Sequence, residues 1–201
     1  MSRFDKEAKN WDRSYLRQKN AFQIAKAILD RVTLDKGMTL LDFGAGTGLL
    51  TQHISPFVKE ILAVDNSLAM LKELEKNSKS WKECIVSTIK SDILDFKSDK
   101  KFDGIISSMT IHHIKDIDKL FKNLYLLLKK GGFLAIADLM PEDGSFHSRG
   151  NEDVFHFGFS KEFLEDIATK NGFIDIKYEK IYTIEKEQGK FDIFLLTAKK
   201  D

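Results

Sequence analysis

Apolar positions along this chain change period in a regular way. Between Lys19 and Val32, residues Ala21, Phe22, Ile24, Ala25, Ala27, Ile28 and Leu29 fall at spacings of three and four, which predicts an amphipathic helix. Gly37 breaks the pattern, and Met38 to Phe43 is a short apolar run that suits a strand buried on both faces. Leu49 to Val58 predicts a second helix, and Ile61 to Val64 a second buried strand closing on Asp65. Ser67 can cap a helix running through Asn77, because its hydroxyl can accept a backbone N–H ahead of the stripe Leu68, Met70, Leu71 and Leu74.

The alternation continues with a weaker strand at Ile85 to Ile89, a fourth at Phe102 to Ile106, and a helix from Asp116 to Lys129 that Gly131-Gly132 should end before a strand at Phe133 to Ala137. This order predicts an α/β fold: a mostly parallel, doubly wound sheet with helices on both faces and right-handed crossovers. Leu139 to Phe159 then shows no clear period, and a connection that long is more often functional than idle. Ser160 caps a helix from Lys161 to Lys170, and Phe173 to Glu179 and Phe191 to Thr197 form a hairpin about the polar turn Glu185 to Gly189, giving an antiparallel edge strand.

Length adds one constraint, since 201 residues suit a single domain, and neither proline lies in a linker-like stretch. Charge adds another. The 32 basic and 31 acidic residues leave +1, without the surplus that binding to nucleic acid phosphates calls for. The lone Cys84 excludes an intrachain disulfide and any zinc site needing two thiolates, which is in keeping with a reducing cytoplasm. No stretch approaches the roughly 20 apolar residues of a membrane span, no leader pattern opens the chain, and no long-period repeat suggests a solenoid.

Candidate chemistry gathers at the carboxyl ends of the predicted strands, where open α/β sheets bind ligands. Asp42-Phe43-Gly44-Ala45-Gly46-Thr47-Gly48 places glycines at alternate positions between a strand and a helix, so a ligand can approach bare backbone beside unpaired N–H donors. Asp65, 21 positions after Gly44, can accept both hydroxyls of a ribose, and Asp92 can accept from an exocyclic adenine amine with Ile93 beside it. Each aspartate alone could equally be a cap or turn residue. A nicotinamide dinucleotide fingerprint would need glycine at position 49, where leucine stands.

The ordered set of motifs resembles the class I S-adenosylmethionine-dependent methyltransferases, and within them the small-molecule, UbiE-like group. Asp42, Gly44, Gly46 and Gly48 match the first motif; Ala63 to Ser67 with Met70, the second; Ser91-Asp92-Ile93, the third. Phe102 to Ile106 leading to Ile111-His112-His113-Ile114 matches the fourth, and Leu127 to Leu134 the fifth. The resemblance implies a Rossmann-like seven-stranded sheet in the order 3-2-1-4-5-7-6 with strand seven antiparallel, and S-adenosylmethionine as methyl donor with S-adenosylhomocysteine as product. It implies that Asp42 and the Gly44, Ala45, Gly46 and Gly48 backbone hold the methionine portion, Asp65 the ribose, Asn66 or Met70 the adenine face, and Asp92 with Ile93 its edge; Ser108 completes the expected cofactor set. Residues 1–18 resemble the family's lid, with Trp11 and Tyr15 as contacts.

On the acceptor side, His112 and His113 after strand four and His147 and His156 in the 139–159 insertion are the candidates for a catalytic base. For His112 and His113 the competing reading is a role in orienting backbone or packing, and for the other two a plug of phenylalanines with the histidines hydrogen-bonded within the loop. His53 is expected on the surface. Asp138, His147 and His156 are a conceivable metal set, but their irregular spacing matches no ligand pattern, and no metal is expected. The chemistry expected is in-line methyl transfer to a small, partly apolar molecule. The alternatives are a non-catalytic cofactor-binding or partner subunit, a tRNA or protein methyltransferase, and an NAD-dependent oxidoreductase.

Overall fold

The fold was read from a computed structural model that describes residues 2–147 and 150–201. Met1 of the expected lid, and Ser148 and Arg149 of the expected insertion, lie outside the described residues. Seven strands, β1 (Thr39–Phe43), β2 (Glu60–Asp65), β3 (Ile85–Lys90), β4 (Phe102–Ser108), β5 (Leu128–Leu139), β6 (Phe173–Lys186) and β7 (Gly189–Lys200), form one sheet in the order 3-2-1-4-5-7-6. Pairing is parallel from β3 through β5, and β7 runs antiparallel to both β5 and β6. The antiparallel strand therefore lies inside the sheet rather than at its edge, which β6 occupies.

Alternation along the buried strands sends side chains to two separate cores. Leu41, Phe43, Ile105, Leu134 and Phe194 pack beneath α5 (Ile117–Leu127) and α6 (Lys161–Lys170). Leu40, Ile61, Ile106, Ala135 and Ile193 pack on the opposite face against α2 (Tyr15–Leu29) and α3 (Leu49–Ile54), while α4 (Leu68–Ser78) covers Ala63 through Leu74. Leu120, Phe121 and Leu124 of α5 are wholly buried, each worth roughly 1.5–3 kcal/mol of transfer free energy. The edge strand β3 buries little, as its weak pattern foretold.

Three boundaries differ from expectation for identifiable reasons. Helix α2 begins at Tyr15, four residues early, because Ser14 accepts from the Arg17 N–H at 3.4 Å and the polar first turn needs no apolar stripe. Helix α3 ends at Ile54, and Pro56 sits in a following 3-10 turn, Ser55–Phe57. The pair Gly131-Gly132 lies within β5 rather than ending the helix: Phe102 pairs with Leu128 but Gly104 with Phe133, so residues 129–132 bulge out, with Gly131 at φ +74°. The hairpin turn is also tighter than expected, only Glu187 and Gln188 separating β6 from β7. Ahead of α2, a short helix α1 (Arg3–Glu7) and a 3-10 segment, Ala8–Arg13, cross the carboxyl ends of the strands.

Candidate functional site

A cavity of about 730 Å³ opens at those carboxyl ends, beneath the N-terminal segment. Its floor is the loop after β1. Gly44 is left-handed at φ +64°, and a Cβ there would lie 2.2 Å from the Thr110 side chain. Gly46, at φ +55°, faces open space, since a Cβ there would meet nothing within 4 Å, and its bare backbone is free to meet a ligand. Gly48 does not line the cavity; it is the left-handed cap of α3, at φ +89°.

Asp42 occupies the face of β1 that looks toward α3, and Thr51 donates its hydroxyl to Oδ2 at 2.6 Å. Burial pushes the Asp42 carboxyl up to about 7, with the Asp65 charge adding to the rise and the Thr51 hydrogen bond opposing it. Asp65, at the end of β2, accepts from the Gly46 N–H at 2.9 Å and the Ser67 N–H at 2.8 Å, which leaves lone pairs on both oxygens. Burial raises its pKa too, against those two N–H donors. Asp92 accepts from the Leu94 N–H at 2.8 Å and lines the cavity together with Asn66, Met70, Ile93 and Ser108.

The opposite end of the cavity is aromatic and basic. His112 and His113 stand in the 3-10 turn after β4, and His147 arrives from the long connection, with ring centroids 4.1, 5.1 and 5.5 Å apart. His112 Nδ1 lies 2.6 Å from Asp138 Oδ1 on β5, both groups buried. Burial pushes the Asp138 carboxyl up, but the His112 ring and the N–H groups of Leu139 and His112 outweigh it and hold the carboxyl below its ordinary value. Burial and then His112 drive His113 down to about 4; burial, His112 and His113 drive His147 down to about 3. Both rings are therefore neutral at pH 7.

Four side chains stand elsewhere than expected. His156 does not line the cavity: its Nε2 lies 3.0 Å from the Ile114 carbonyl, and its own N–H donates to the His112 carbonyl, so it braces the turn that carries His112. Tyr15 is exposed and points away from the site, although Trp11 lines it. Asp138 is tied to His112 rather than grouped with His147 and His156. His53, on α3, is partly covered by Phe22. Phe146, one of the phenylalanines noted around the insertion histidines, lines the site; Thr51, Lys186 and Arg3 also shape it, and nothing in their local sequence marked them.

The profile of a methyltransferase domain matches residues 15–178, most of the chain. This chain belongs to that family. The family is S-adenosylmethionine-dependent, so the chain carries a methyltransferase domain of that kind. An uncharacterised methyltransferase of Schizosaccharomyces pombe is 34% identical over 143 residues, which cover 64% of this chain and 50% of that protein. Two solved structures share the fold. A Haemonchus contortus phosphoethanolamine N-methyltransferase 2 bound to S-adenosylmethionine has a TM-score of 0.72 at 22% identity, covering 100% of this chain and 60% of that one. A Haloferax volcanii methyltransferase in complex with its Trm112 activator has a TM-score of 0.83 at 15% identity, covering 99% and 98%. The methyltransferase thus spans half of its S. pombe relative, and no described helix is long and apolar enough to cross a membrane.

Proposed function

We propose that this methyltransferase transfers the methyl group to a small, partly apolar molecule by in-line displacement. The observation that carries this reading is the single continuous cavity, which joins the Gly44–Gly46 backbone and Asp65 to an end walled by Phe146, His112, His113 and His147. Its volume lies within the roughly 300–1,000 Å³ of small-ligand pockets. S-adenosylmethionine supplies an activated methyl on a sulfonium, so the chain's main task is to orient a nucleophile.

The residues divide that task along the cavity. Asp42 and the backbone of Gly44, Ala45 and Gly46 hold the amino acid portion, a cation being what a buried, half-neutral carboxyl most lacks. Asp65 takes the ribose hydroxyls on its free lone pairs, and Asn66, Met70, Asp92, Ile93 and Ser108 enclose the rest. At the far end, His112, His113 and His147 border the acceptor. Holding the acceptor in line can contribute up to about 7–11 kcal/mol in favourable cases.

The N-terminal segment, residues 1–18 by the sequence reading, acts as a lid. Ser67 donates its hydroxyl to Asp5 at 2.6 Å, Thr47 donates to Asp12, and Asn77 donates to Asp12 at 2.9 Å, so the segment is pinned to the loop after β1 and to the cap and last turn of α4. Phe4 packs edge-on against His113 with centroids 5.3 Å apart, roofing the acceptor end. The finer likeness to the UbiE-like group rests on the motifs and on this apolar acceptor end.

Release of S-adenosylhomocysteine across a panel of small thiols, phenols, amines and carboxylates tests the proposal. Turnover with one class is the expected result. A silent panel alongside tight S-adenosylmethionine binding would support the non-catalytic binder instead, and tight, steeply salt-dependent tRNA binding would point to a macromolecular acceptor.

A further inference from the structure

The three histidines at the acceptor end are arranged as more than a hydrogen-bonding wall. One ring nitrogen from each of His112, His113 and His147 lies within 4.8 Å of the other two. His112 Nδ1 is held by the Asp138 carboxylate, and His113 Nδ1 lies 2.5 Å from the Asp153 carbonyl. A carbonyl can only accept, so His113 carries its proton on Nδ1, and the carboxylate favours the same tautomer in His112. Each ring is left with an Nε2 lone pair. His112 Nε2 and His147 Nε2 are both buried with no hydrogen-bond partner among the described residues. Such orphaned buried nitrogens are costly to leave without a partner, and two in one cluster call for an occupant.

We propose that His112, His113 and His147 bind one divalent transition-metal ion of the zinc class, with its fourth position facing the cavity. Three protein nitrogens plus one open position is the arrangement of reactive zinc sites, and a carboxylate behind a ligating histidine is the usual support that fixes ring orientation. A site that offers imidazoles and no thiolate among the described residues suits an ion bound through imidazole. At Zn–N distances of about 2.0–2.1 Å in a tetrahedral site, each nitrogen would move inward by at most about 0.9 Å from a 4.8 Å triangle. His147 can make that adjustment because the described residues of its connection form neither helix nor strand.

The buried Asp138 offsets one of the two positive charges such an ion brings. Lys186 also lines the cavity, its ammonium 3.4 Å from the centre of the Phe146 ring, while Arg3 is paired with Glu7. With the ion and Lys186 beside the open position, the acceptor bound there is an anion, a thiolate or an oxyanion, whose proton has gone to solvent. This part of the inference rests on the function proposed above; metal binding itself does not.

The test uses the full chain, stripped with a chelator, dialysed, and titrated with Co²⁺ and then Zn²⁺. One equivalent of Co²⁺ is expected to give the visible absorption of a four-coordinate ion, and Zn²⁺ to displace it. His147→Ala should weaken Zn²⁺ binding at least tenfold, and Asp138→Asn about 10–100-fold as loss of the supporting carboxylate predicts. His53→Gln, on α3 and outside the cavity lining, should leave metal affinity unchanged. S-adenosylmethionine affinity, measured on every variant, reports that the fold is intact. No stoichiometric binding by wild-type chain, or binding that survives His147→Ala, overturns the site while leaving the methyltransferase reading in place. Normal metal binding without any product from the acceptor panel would sink the proposed function instead.

Discussion

Asp42→Asn should make the ligand-free protein more stable at alkaline pH while weakening its grip on the cofactor. In the folded chain burial lifts the Asp42 carboxyl from 3.8 to about 7. Between those values the unfolded chain has released a proton that the native state still holds, so stability falls with rising pH by about 1.4 kcal/mol per unit and the loss is complete above about 7. Three units amount to about 4 kcal/mol. Asparagine has nearly the same shape, can still accept from Thr51, and does not titrate. The gain should therefore be near zero at pH 4 and approach about 4 kcal/mol at pH 8, or about 8–16 °C in melting temperature for a chain of this size. Urea unfolding of both proteins at pH 4.5, 6 and 8 measures the difference directly. An offset independent of pH, or a variant less stable at pH 8, would refute the reasoning. Calorimetry should show the cost, with S-adenosylmethionine affinity at least tenfold weaker in the variant.

Further outcomes follow from other contacts. Wild-type affinity for S-adenosylmethionine should fall about tenfold per unit as pH drops below about 7, because protonated Asp42 no longer attracts an ammonium; a flat profile from pH 5 to 8 would remove Asp42 from that role. Asp65→Ala removes the acceptor of both the Gly46 and Ser67 N–H groups along with the ribose contact, so binding should weaken about 100-fold by calorimetry. Gly44→Ala forces a side chain into a left-handed residue and against Thr110, costing about 2–3 kcal/mol in urea unfolding; an unchanged midpoint would mean the loop relaxes freely. Asp138→Ala strands the His112 Nδ1–H and the Leu139 N–H, with an expected cost of about 3–5 kcal/mol. In the wild type, the stabilisation from Asp138 is present above the unfolded carboxylate pKa and lost as pH falls through its lower folded value.

Much of the cofactor end was legible in sequence because it depends on local chain geometry. A buried strand, a glycine turn and a helix start follow one another within Thr39–Ile54, and that order alone puts Gly44 and Gly46 at the carboxyl edge of the sheet. Asp65 and Asp92 were found the same way, each just past a strand. Gly48 was grouped with its neighbours by the motif, yet its backbone turns away to cap α3. The acceptor end was harder to read, because its parts are far apart in sequence. Nothing local distinguishes His147, which lines the cavity, from His156 nine positions later, which braces a turn.

The sequence by itself determined the element order, the two-faced burial of the central strands and the glycine loop, since apolar period and turn chemistry act over a few residues. It also determined the family, because five motifs in fixed order constrain the whole chain. Tertiary structure alone decided that Asp138 serves His112 and that three histidines from two segments converge, with one ring nitrogen of each within 4.8 Å of the others. Those outcomes depend on strand crossovers and on which loop folds over which. No local pattern encodes them, because the free energy that selects them comes from contacts between residues dozens of positions apart.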